Sequence, residues 1–215
     1  MIRLLLVDDH PVVRAGYQRL LEQTGEMSVV AQAGDVDSAV ALYMQHRPDL
    51  TVTDLSMPGS GGLELIRRLR ERDGEQARLL VFSMHDSEML IRRALELGAR
   101  GFVTKSSAPE NLIAAVRQVM AGGRYLSPEL PRQLLAGSGT AGSSSTGRFD
   151  ALTQREFEIF RLLAEGTSLN DCARALHLSP KTVSNHQSVI KEKLGLSTSA
   201  AMAHLALRHG LISAD

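Results

Sequence analysis

Short apolar runs alternate with longer amphipathic stretches over the first 121 residues of the chain. Runs of four to six residues rich in Val, Ile and Leu predict five strands, at 2–7, 28–33, 50–53, 78–83 and 100–104. The stretches between them repeat apolar residues at helical spacing, which predicts helices at 11–23, 36–45, 61–72, 87–97 and 108–120. The pattern therefore predicts five successive strand–helix units.

This alternation determines the fold class that we expect for the segment. Strands that alternate with helices form a parallel sheet covered by helices on both faces, with right-handed crossovers. Five units favour the flavodoxin-like α/β fold, a five-stranded parallel sheet with strand order 2-1-3-4-5. The spacing of Ser107 and Glu110 predicts a capping box at the start of the last helix.

The composition changes after residue 121. Residues 137–147 (GSGTAGSSSTG) contain only Gly, Ser, Thr and one Ala, which predicts a flexible linker. Helical patterns without strand signals return beyond it and predict helices at 154–165, 169–176, 180–194 and 198–209, the first with a Thr153–Glu156 capping box. The expected organisation is an α/β domain over 1–121, a Gly/Ser-rich linker over 122–148, and a small all-α domain over 149–215.

Composition excludes several classes of protein. The chain has 24 basic and 24 acidic residues, and no apolar run approaches the ~20 residues that span a bilayer. The single cysteine, Cys172, excludes an intrachain disulfide framework and a Cys-rich metal site. We expect a soluble, cytoplasmic protein with no membrane association. Because no segment is strongly basic, a role in nucleic-acid binding has to rest on motifs.

Polar residues stand where the predicted strands end. Asp8 and Asp9 follow the first strand, Asp54 follows the third, Ser83 ends the fourth, and Lys105 follows the fifth. In an open parallel sheet, ligands bind in the crevice at the carboxyl ends of the strands. Three carboxylates there require a cation, and an all-oxygen cluster without His or Cys suits Mg²⁺. The sequence predicts a Mg²⁺ site in which an anion on Asp54 is stabilised.

The predicted helices at 169–176 and 180–194, joined by a short turn, have the spacing of a helix-turn-helix. Ser179 is a favoured N-cap and Pro180 fits the first helical position. Apolar residues recur at Val183, Ile190 and Leu194 and predict a buried stripe. Polar residues fall mostly on the other side: Lys181, Ser184, Asn185 and Ser188. A helix of this size fits the major groove of DNA.

Positions 1–121 resemble the receiver domain of two-component response regulators. The resemblance rests on four motifs in the order and spacing of that family: LLLVDDH, TDLSMPGSGGLEL, FSM and GFVTK. The resemblance implies that Asp54 is the phosphoacceptor and that Lys105 pairs with the phosphoryl group. Ser83 would be the switch hydroxyl and Phe102 the switch aromatic. Mg²⁺ would be held by Asp9, Asp54 and the carbonyl of Ser56, with Asp8 acting mainly through a bound water. Phe102 precedes Lys105 by three residues, which predicts opposite faces of the strand and a route from the pocket to an outer surface.

Residues 149–212, approximately, resemble the LuxR-type DNA-binding domain of the NarL/FixJ subfamily. The resemblance rests on the block LTQREFEIFRLLAEGTS…SPKTVSNHQSVIKEKLGLS. The resemblance implies base contacts from Ser184, Asn185 and Ser188, and phosphate contacts from Lys181, Thr182 and Lys191. The family usually has Lys at the position of Ser184 and often Arg at that of Ser199. A single copy is therefore expected to bind DNA weakly, which makes a homodimer on two promoter half-sites more important.

Together the resemblances imply a phosphorylation-dependent transcriptional regulator, phosphorylated on Asp54 by a sensor histidine kinase in a Mg²⁺-dependent reaction. The switch residues Ser83 and Phe102 would alter dimerisation and release of the C-terminal domain. The alternative is a phosphorylation-independent receiver-type module that acts constitutively on DNA or through protein partners.

Enzymatic functions are not expected, apart from the protein's own phosphorylation and dephosphorylation. A haloacid dehalogenase-type phosphatase needs a second carboxylate two residues after its nucleophile, where Ser56 stands. A dinucleotide-binding enzyme needs a G-x-G-x-x-G turn after the first strand, and DDHPVVRAG is not one.

Overall fold

The computed structural model of the chain describes residues 1–57, 61–135, 149, 151–176 and 178–212. The chain divides into two compact units, Met1–Gly137 and Ser138–Asp215. The Gly/Ser-rich segment predicted at 137–147 lies outside the described residues. None of the described helices is long and apolar enough to cross a membrane.

The first unit is a parallel sheet with associated helices. Its strands are β1 (Ile2–Val7), β2 (Met27–Ala33), β3 (Leu50–Thr53), β4 (Leu79–Ser83), β5 (Gly101–Thr104) and β6 (Tyr125–Leu126). Its α-helices are α1 (Pro11–Glu22), α2 (Val36–His46), α3 (Gly61–Asp73), α4 (Glu88–Glu96) and α5 (Pro109–Met120). The strand order is β2-β1-β3-β4-β5-β6, and every pairing is parallel. The predicted α/β class and the order of the first five strands are confirmed, and a sixth strand is added.

The strands β3, β4 and β5 are buried at every position because both faces of the sheet are covered. On one face, side chains of β1, β3, β4 and β5 form a core with Leu21 of α1 and Leu112 of α5. The alternate positions, such as Leu5, Val81 and Phe102, are also buried. This two-sided burial fixes the register of the strands, and with it the positions of the polar residues at their ends.

The sixth strand corrects the start of the predicted linker. Tyr125 and Leu126 pair with Gly101 and Phe102 of β5. A Cβ on Gly101 would lie 2.8 Å from the carbonyl oxygen of Tyr125, so glycine permits this close approach. A 3₁₀ turn at Arg132–Leu135 follows, and the structure of the first unit continues past residue 121. A strand of two residues is too short to show periodicity, which is why the sequence pattern did not reveal it.

The start of α5 also differs from the prediction. The predicted Ser107–Glu110 capping box is wrong, because the N-cap is Ala108 and no side chain caps the helix. The Ser107 hydroxyl donates to the carbonyl of Thr104 instead, at 2.8 Å. Pro109 has no N–H and fits the first helical position, so α5 begins one residue later than a Ser107 cap requires.

The second unit is helical in its described part. It contains α6 (Gln154–Ala164), α7 (Leu169–Ala175), α8 (Pro180–Leu194) and α9 (Ser199–Arg208), each within one residue of the predicted bounds. The predicted capping box is present at the start of α6, where the Thr153 side chain accepts from the Glu156 amide and the Glu156 side chain accepts from the Thr153 amide. Phe149 packs against Phe157 and Phe160, with ring centroids 6.4 and 5.3 Å away.

Candidate functional site

Adjacent strand ends bring carboxylates and a lysine into one pocket of the first unit. Asp8 follows β1, Asp54 follows β3, Ser83 ends β4 and Lys105 follows β5. Main-chain bonds extend the sheet to these positions, since the Asp54 amide donates to Val7 and the Lys105 amide donates to Ser83, both at 2.8 Å. The predicted convergence of these residues is therefore a direct result of the strand order.

The ammonium group of Lys105 lies between two carboxylates. Its Nζ is 2.5 Å from Oδ2 of Asp8 and 2.6 Å from Oδ2 of Asp54. All three side chains are less than a tenth exposed. Nζ also lies 5.8 Å from the ring centroid of Phe82, close enough for a cation–π contact. Lys105 thus offsets one of the two buried negative charges and reduces the repulsion between them, which leaves the pocket with a net negative charge.

The environment keeps the Asp54 carboxyl ionised. Burial raises the pKa of Asp54, but the hydrogen bond and charge of Lys105 outweigh it, and the Ser56 amide and Ser83 hydroxyl add to the lowering. The pKa of Asp54 is therefore below its ordinary value. Burial lowers the pKa of Lys105, but Asp54 and Asp8 outweigh that effect and the pKa is raised. At neutral pH the site presents a carboxylate nucleophile beside a fixed cation.

Oxygen donors for a cation lie at the end of β1. The ligand atoms of Asp8, Asp9 and His10 all lie within 4.8 Å of one another. His10 Nδ1 is 2.8 Å from Asp9 Oδ1 without hydrogen-bond alignment, so this buried oxygen has no hydrogen-bond donor among the described residues. A buried carboxylate oxygen without a donor is costly unless a cation binds it. The donor set fits Mg²⁺, although the imidazole of His10 was not part of the predicted all-oxygen cluster.

Asp54 and the residue two positions after it are linked through the main chain. The amide of Ser56 donates to Oδ1 of Asp54 at 3.1 Å. The Ser56 hydroxyl is buried and has no hydrogen-bond partner among the described residues. Oδ1 and Oδ2 of Asp54 therefore have different environments, one facing a main-chain amide and the other Lys105.

Phe102 lies in β5 and is completely buried. Its neighbour Val103 packs in the core beside α5, so strand alternation places Phe102 on the other face of the sheet. Phe102 pairs with Val81 of β4 on one side and with Leu126 of β6 on the other. The aromatic side chain does not reach the surface in this structure, and any movement would have to displace packed neighbours.

Two residues of α1 border the pocket and were not predicted. Arg14 Nη1 donates to the main-chain carbonyl of Asp8, and the ring of Tyr17 meets Phe82 edge-on with centroids 4.4 Å apart. Burial raises the pKa of Tyr17, which also senses the charges of Lys105 and Asp8. The signal available was helical spacing, since Arg14 and Tyr17 are three residues apart on one face of α1.

In the second unit, α7 and α8 form the predicted helix-turn-helix. Val183, Ile190 and Leu194 are buried along α8, as the apolar stripe predicted. The opposite side presents exposed side chains: Lys181, Ser184, Asn185 and Ser188. Thr182 and Lys191 are half-buried, and the Thr182 hydroxyl lies 2.7 Å from that of the N-cap Ser179. The structure places every predicted DNA-contacting residue on one helix.

The lysines of α8 differ in their partners. Lys193 Nζ lies 2.6 Å from Oε2 of Glu156, which also caps α6, so its charge is neutralised within the unit. Lys181 and Lys191 have no ion pair within the described part of the chain. The surface of α8 therefore offers two available positive charges, which is few for a DNA-binding helix.

Both units match known protein families. Residues 4–117 match the family described as "Response regulator receiver domain", and residues 150–206 match "Bacterial regulatory proteins, luxR family". The chain belongs to the two-component response regulators of the NarL/FixJ type, in which a receiver domain is joined to a LuxR-type DNA-binding domain that regulates transcription.

Individual relatives match nearly the whole length. The chain is 40% identical over 209 residues to the transcriptional activator protein ExaE of Pseudomonas putida, covering 97% of each chain. It is 34% identical over 215 residues to the response regulator UvrY of Escherichia coli K12, covering 100% of this chain and 98% of that protein. Among solved structures, the response regulator RcsB of Salmonella typhimurium has a TM-score of 0.76 at 25% identity, over 97% of this chain and 98% of that one.

A second RcsB structure, from Salmonella enterica serovar Typhimurium, is bound to promoter rprA in the presence of the phosphomimetic BeF3⁻. Its TM-score is 0.70 at 27% identity, over 95% of this chain and 98% of that one.

Proposed function

We propose that the protein is a phosphorylation-dependent transcriptional regulator in which Asp54 accepts a phosphoryl group from a sensor histidine kinase. The observation that carries the proposal is the buried Lys105 between Asp8 and Asp54, which keeps Asp54 ionised and reactive. A carboxylate oxygen of Asp54 attacks phosphorus, the P–N bond to the donor imidazole breaks, and the imidazole leaves with a proton. The ammonium group of Lys105 then pairs with the negatively charged phosphoryl oxygens.

The acidic residues at the strand ends supply the cofactor site of this proposal. Asp9, Asp54 and the carbonyl of Ser56 would hold Mg²⁺, with Asp8 acting mainly through a water. Mg²⁺ supplies charge neutralisation on the transferring oxygens. The buried Oδ1 of Asp9 supports this assignment, because it accepts no hydrogen bond from the described residues and has only the His10 ring nitrogen nearby, at 2.8 Å.

The proposed switch uses Ser83 and Phe102. The Ser83 hydroxyl is fully buried and contributes to the low pKa of Asp54, so it is close enough to turn onto a phosphoryl group there. Ser83 is paired with Thr104 and Phe102 with Val81, so a shift at the end of β4 reaches β5 directly. We expect this shift to alter dimerisation and to release the DNA-binding domain.

DNA binding is assigned to the exposed side of α8. In the proposal, Ser184, Asn185 and Ser188 contact bases, and Lys181, Thr182 and Lys191 contact phosphates. Support comes from their common placement on one helix and from RcsB, which has been solved as two dimers bound to two parallel DNAs. A homodimer on two half-sites compensates for the few available cations through effective concentration. The receiver domain would comprise 1–121 with an extension to 135, the linker 136–148, and the DNA-binding domain 149–215.

The first experiment treats the full chain with acetyl phosphate, with and without Mg²⁺, and follows its intact mass. We expect a Mg²⁺-dependent gain of one phosphoryl group that is absent in Asp54→Asn. The same pair is then treated with a phosphorylated histidine-kinase domain. If neither donor phosphorylates the parent chain, the proposed chemistry at Asp54 is rejected.

A constitutive module is the second candidate function. It is favoured by the exposed side of α8, where Ser184 stands and only Lys181 and Lys191 are lysines without an ion pair among the described residues, so a role through protein partners also fits this helix. Binding to genomic DNA fragments separates the two functions. Equal binding by the phosphorylated parent and by Asp54→Asn would support the constitutive module, whereas tighter binding after phosphorylation would support the switch.

A further inference from the structure

The strand that leads to Lys105 is held along its outer edge by residues that follow α5. The amide of Ser127 donates to the carbonyl of Phe102 at 3.0 Å, and the amide of Thr104 donates to the Ser127 hydroxyl at 3.0 Å. The Thr104 hydroxyl donates to the carboxylate of Glu129. Ser127 and Thr104 are each only 1% exposed, so the hydrogen bond between them is shielded from water, whereas Glu129 is exposed.

This arrangement fixes the last residue of β5 from both sides. On the inner side, Thr104 pairs with Ser83, and the Lys105 amide donates to the Ser83 carbonyl. On the outer side β6 ends at Leu126, so no strand residue is opposite Thr104. The Ser127 hydroxyl accepts the hydrogen bond that a longer β6 would otherwise accept. Without that hydroxyl, a buried N–H next to Lys105 would lose its partner, and buried unpaired donors are strongly disfavoured.

The position of Lys105 is in turn critical, because its Nζ contacts Asp8 and Asp54 at 2.5 and 2.6 Å. A small displacement of the main chain at residues 104–105 would move the ammonium group relative to both carboxylates. Reactions that depend on close positioning lose up to ~100-fold when a group is displaced by about 1 Å.

We propose that Ser127 and Glu129 are positioning residues for phosphorylation, which act through Thr104 on Lys105. The functional unit of the receiver therefore includes residues beyond its five strand–helix units. This inference rests on the proposed function at Asp54. It adds residues that touch neither the phosphoryl donor nor the carboxylate that accepts it.

The test compares Ser127→Ala, Glu129→Ala and a matched control, Ser38→Ala, in the full chain. Ser38 donates its hydroxyl to Asp35 at the start of α2, at an exposed position, so its variant removes one side-chain hydrogen bond of the first unit without touching the Lys105 strand. Initial rates of phosphorylation are measured by intact mass over a range of acetyl phosphate concentrations at constant Mg²⁺.

We expect Ser127→Ala to lower the maximal rate ~10-fold with little change in the half-saturating concentration, because Lys105 acts on the transferring oxygens. Glu129→Ala, at an exposed position, should lower it ~3-fold, since only one side-chain bond is lost. Ser38→Ala should keep the parental rate. Amide hydrogen exchange at Thr104 should be faster in Ser127→Ala and unchanged in Ser38→Ala.

Parental rates in folded Ser127→Ala and Glu129→Ala would overturn the inference and leave the proposed function standing. Equal slowing in Ser38→Ala would also overturn it, since the slowing would then follow overall stability. If Ser127→Ala does not fold, the rate of Glu129→Ala decides. If the parent chain itself gains no phosphoryl group, the proposed function has failed, and the inference fails with it.

Discussion

Lys105 is the residue on which the charge balance of the pocket depends. Two carboxylates that are less than a tenth exposed share its ammonium group. Ion pairs on the surface of the same unit, such as Arg117 with Glu26, involve side chains that are more than half exposed. Removing one partner of a buried ion pair destabilises a protein far more than removing one partner of a surface pair. The remaining buried charge has neither a counter-ion nor water around it.

Replacing Lys105 with Met should therefore destabilise the first unit by about 3 kcal/mol in Mg²⁺-free buffer. Arg117→Met is the control and should cost less than about 1 kcal/mol. Urea unfolding measures both changes. Adding Mg²⁺ should recover part of the loss in Lys105→Met, since a cation again balances the carboxylates. Equal losses in the two variants would show that the pocket charges are not coupled through Lys105.

The burial of the single cysteine gives a second prediction at the scale of one side chain. Cys172 is fully buried in α7, as expected for a small apolar residue, and burial raises the pKa of its thiol to about 11. At pH 8 only ~0.1% of such a thiol is thiolate, which is the reactive form. We predict negligible reaction of the native protein with a disulfide reagent at pH 8, and full reaction in denaturant. Rapid reaction under native conditions would show that α7 opens readily.

The bounds of most helices and strands follow from the spacing of apolar residues, because burial on one or two faces imposes that spacing. The bounds of α8 and its N-cap Ser179 match the prediction to the residue, and the structure adds that the helix ends at Gly195 in the left-handed region. What could not be predicted depends on tertiary contacts. β6 exists because Gly101 admits the main chain of Tyr125, and the His10 ring reaches Asp9 through its side-chain conformation.

Contacts between helices also bury an acid whose arginine partners stand at helical spacing in its own helix. Glu64, in the first turn of α3, is 2% exposed and accepts hydrogen bonds from Arg67 and Arg68. Arg68 reaches on to Asp37 of α2 at 2.7 Å, so the network joins the two helices. Burial raises the pKa of Glu64, but Arg67 and Arg68 outweigh it, and the pKa is lowered.

A carboxyl whose pKa is lower in the folded than in the unfolded state stabilises the fold above its unfolded pKa. That stabilisation is lost as the pH falls through the folded pKa. Glu64→Gln should therefore lower the free energy of unfolding by about 2 kcal/mol at pH 7. The difference from the parent should shrink as the pH falls below about 4. Urea unfolding at a series of pH values measures it, and a difference independent of pH would contradict a role for the Glu64 charge.

Over the whole chain, charge is distributed with little asymmetry, even though the two units have different functions. Residues 1–121 carry 14 basic and 16 acidic groups, and residues 151–215 carry 7 and 6. The DNA-binding unit is thus close to neutral, and part of its positive charge is internal, as the Lys193–Glu156 pair shows. The motifs were sufficient to indicate the class of this unit, but only the structure shows which lysines are available to phosphates.

The salt dependence of DNA binding is the measurement that tests this charge distribution. Each phosphate contact contributes about 0.9 to the slope of log K against log salt concentration. Lys181→Met should reduce the magnitude of that slope by about one for each bound copy, and Ser184→Lys should increase it by a similar amount.

The matched control is Lys193→Met, which removes an identical charge from the same helix. Because Lys193 is paired with Glu156, this variant should leave the slope unchanged while it lowers the stability of the second unit. Fluorescence anisotropy with a labelled promoter duplex at four salt concentrations gives the slopes of the parent and of the three variants. If Lys193→Met reduces the slope as much as Lys181→Met, then Lys193 contacts a DNA phosphate in the complex instead of Glu156. The α6–α8 ion pair would in that case be broken when the protein binds.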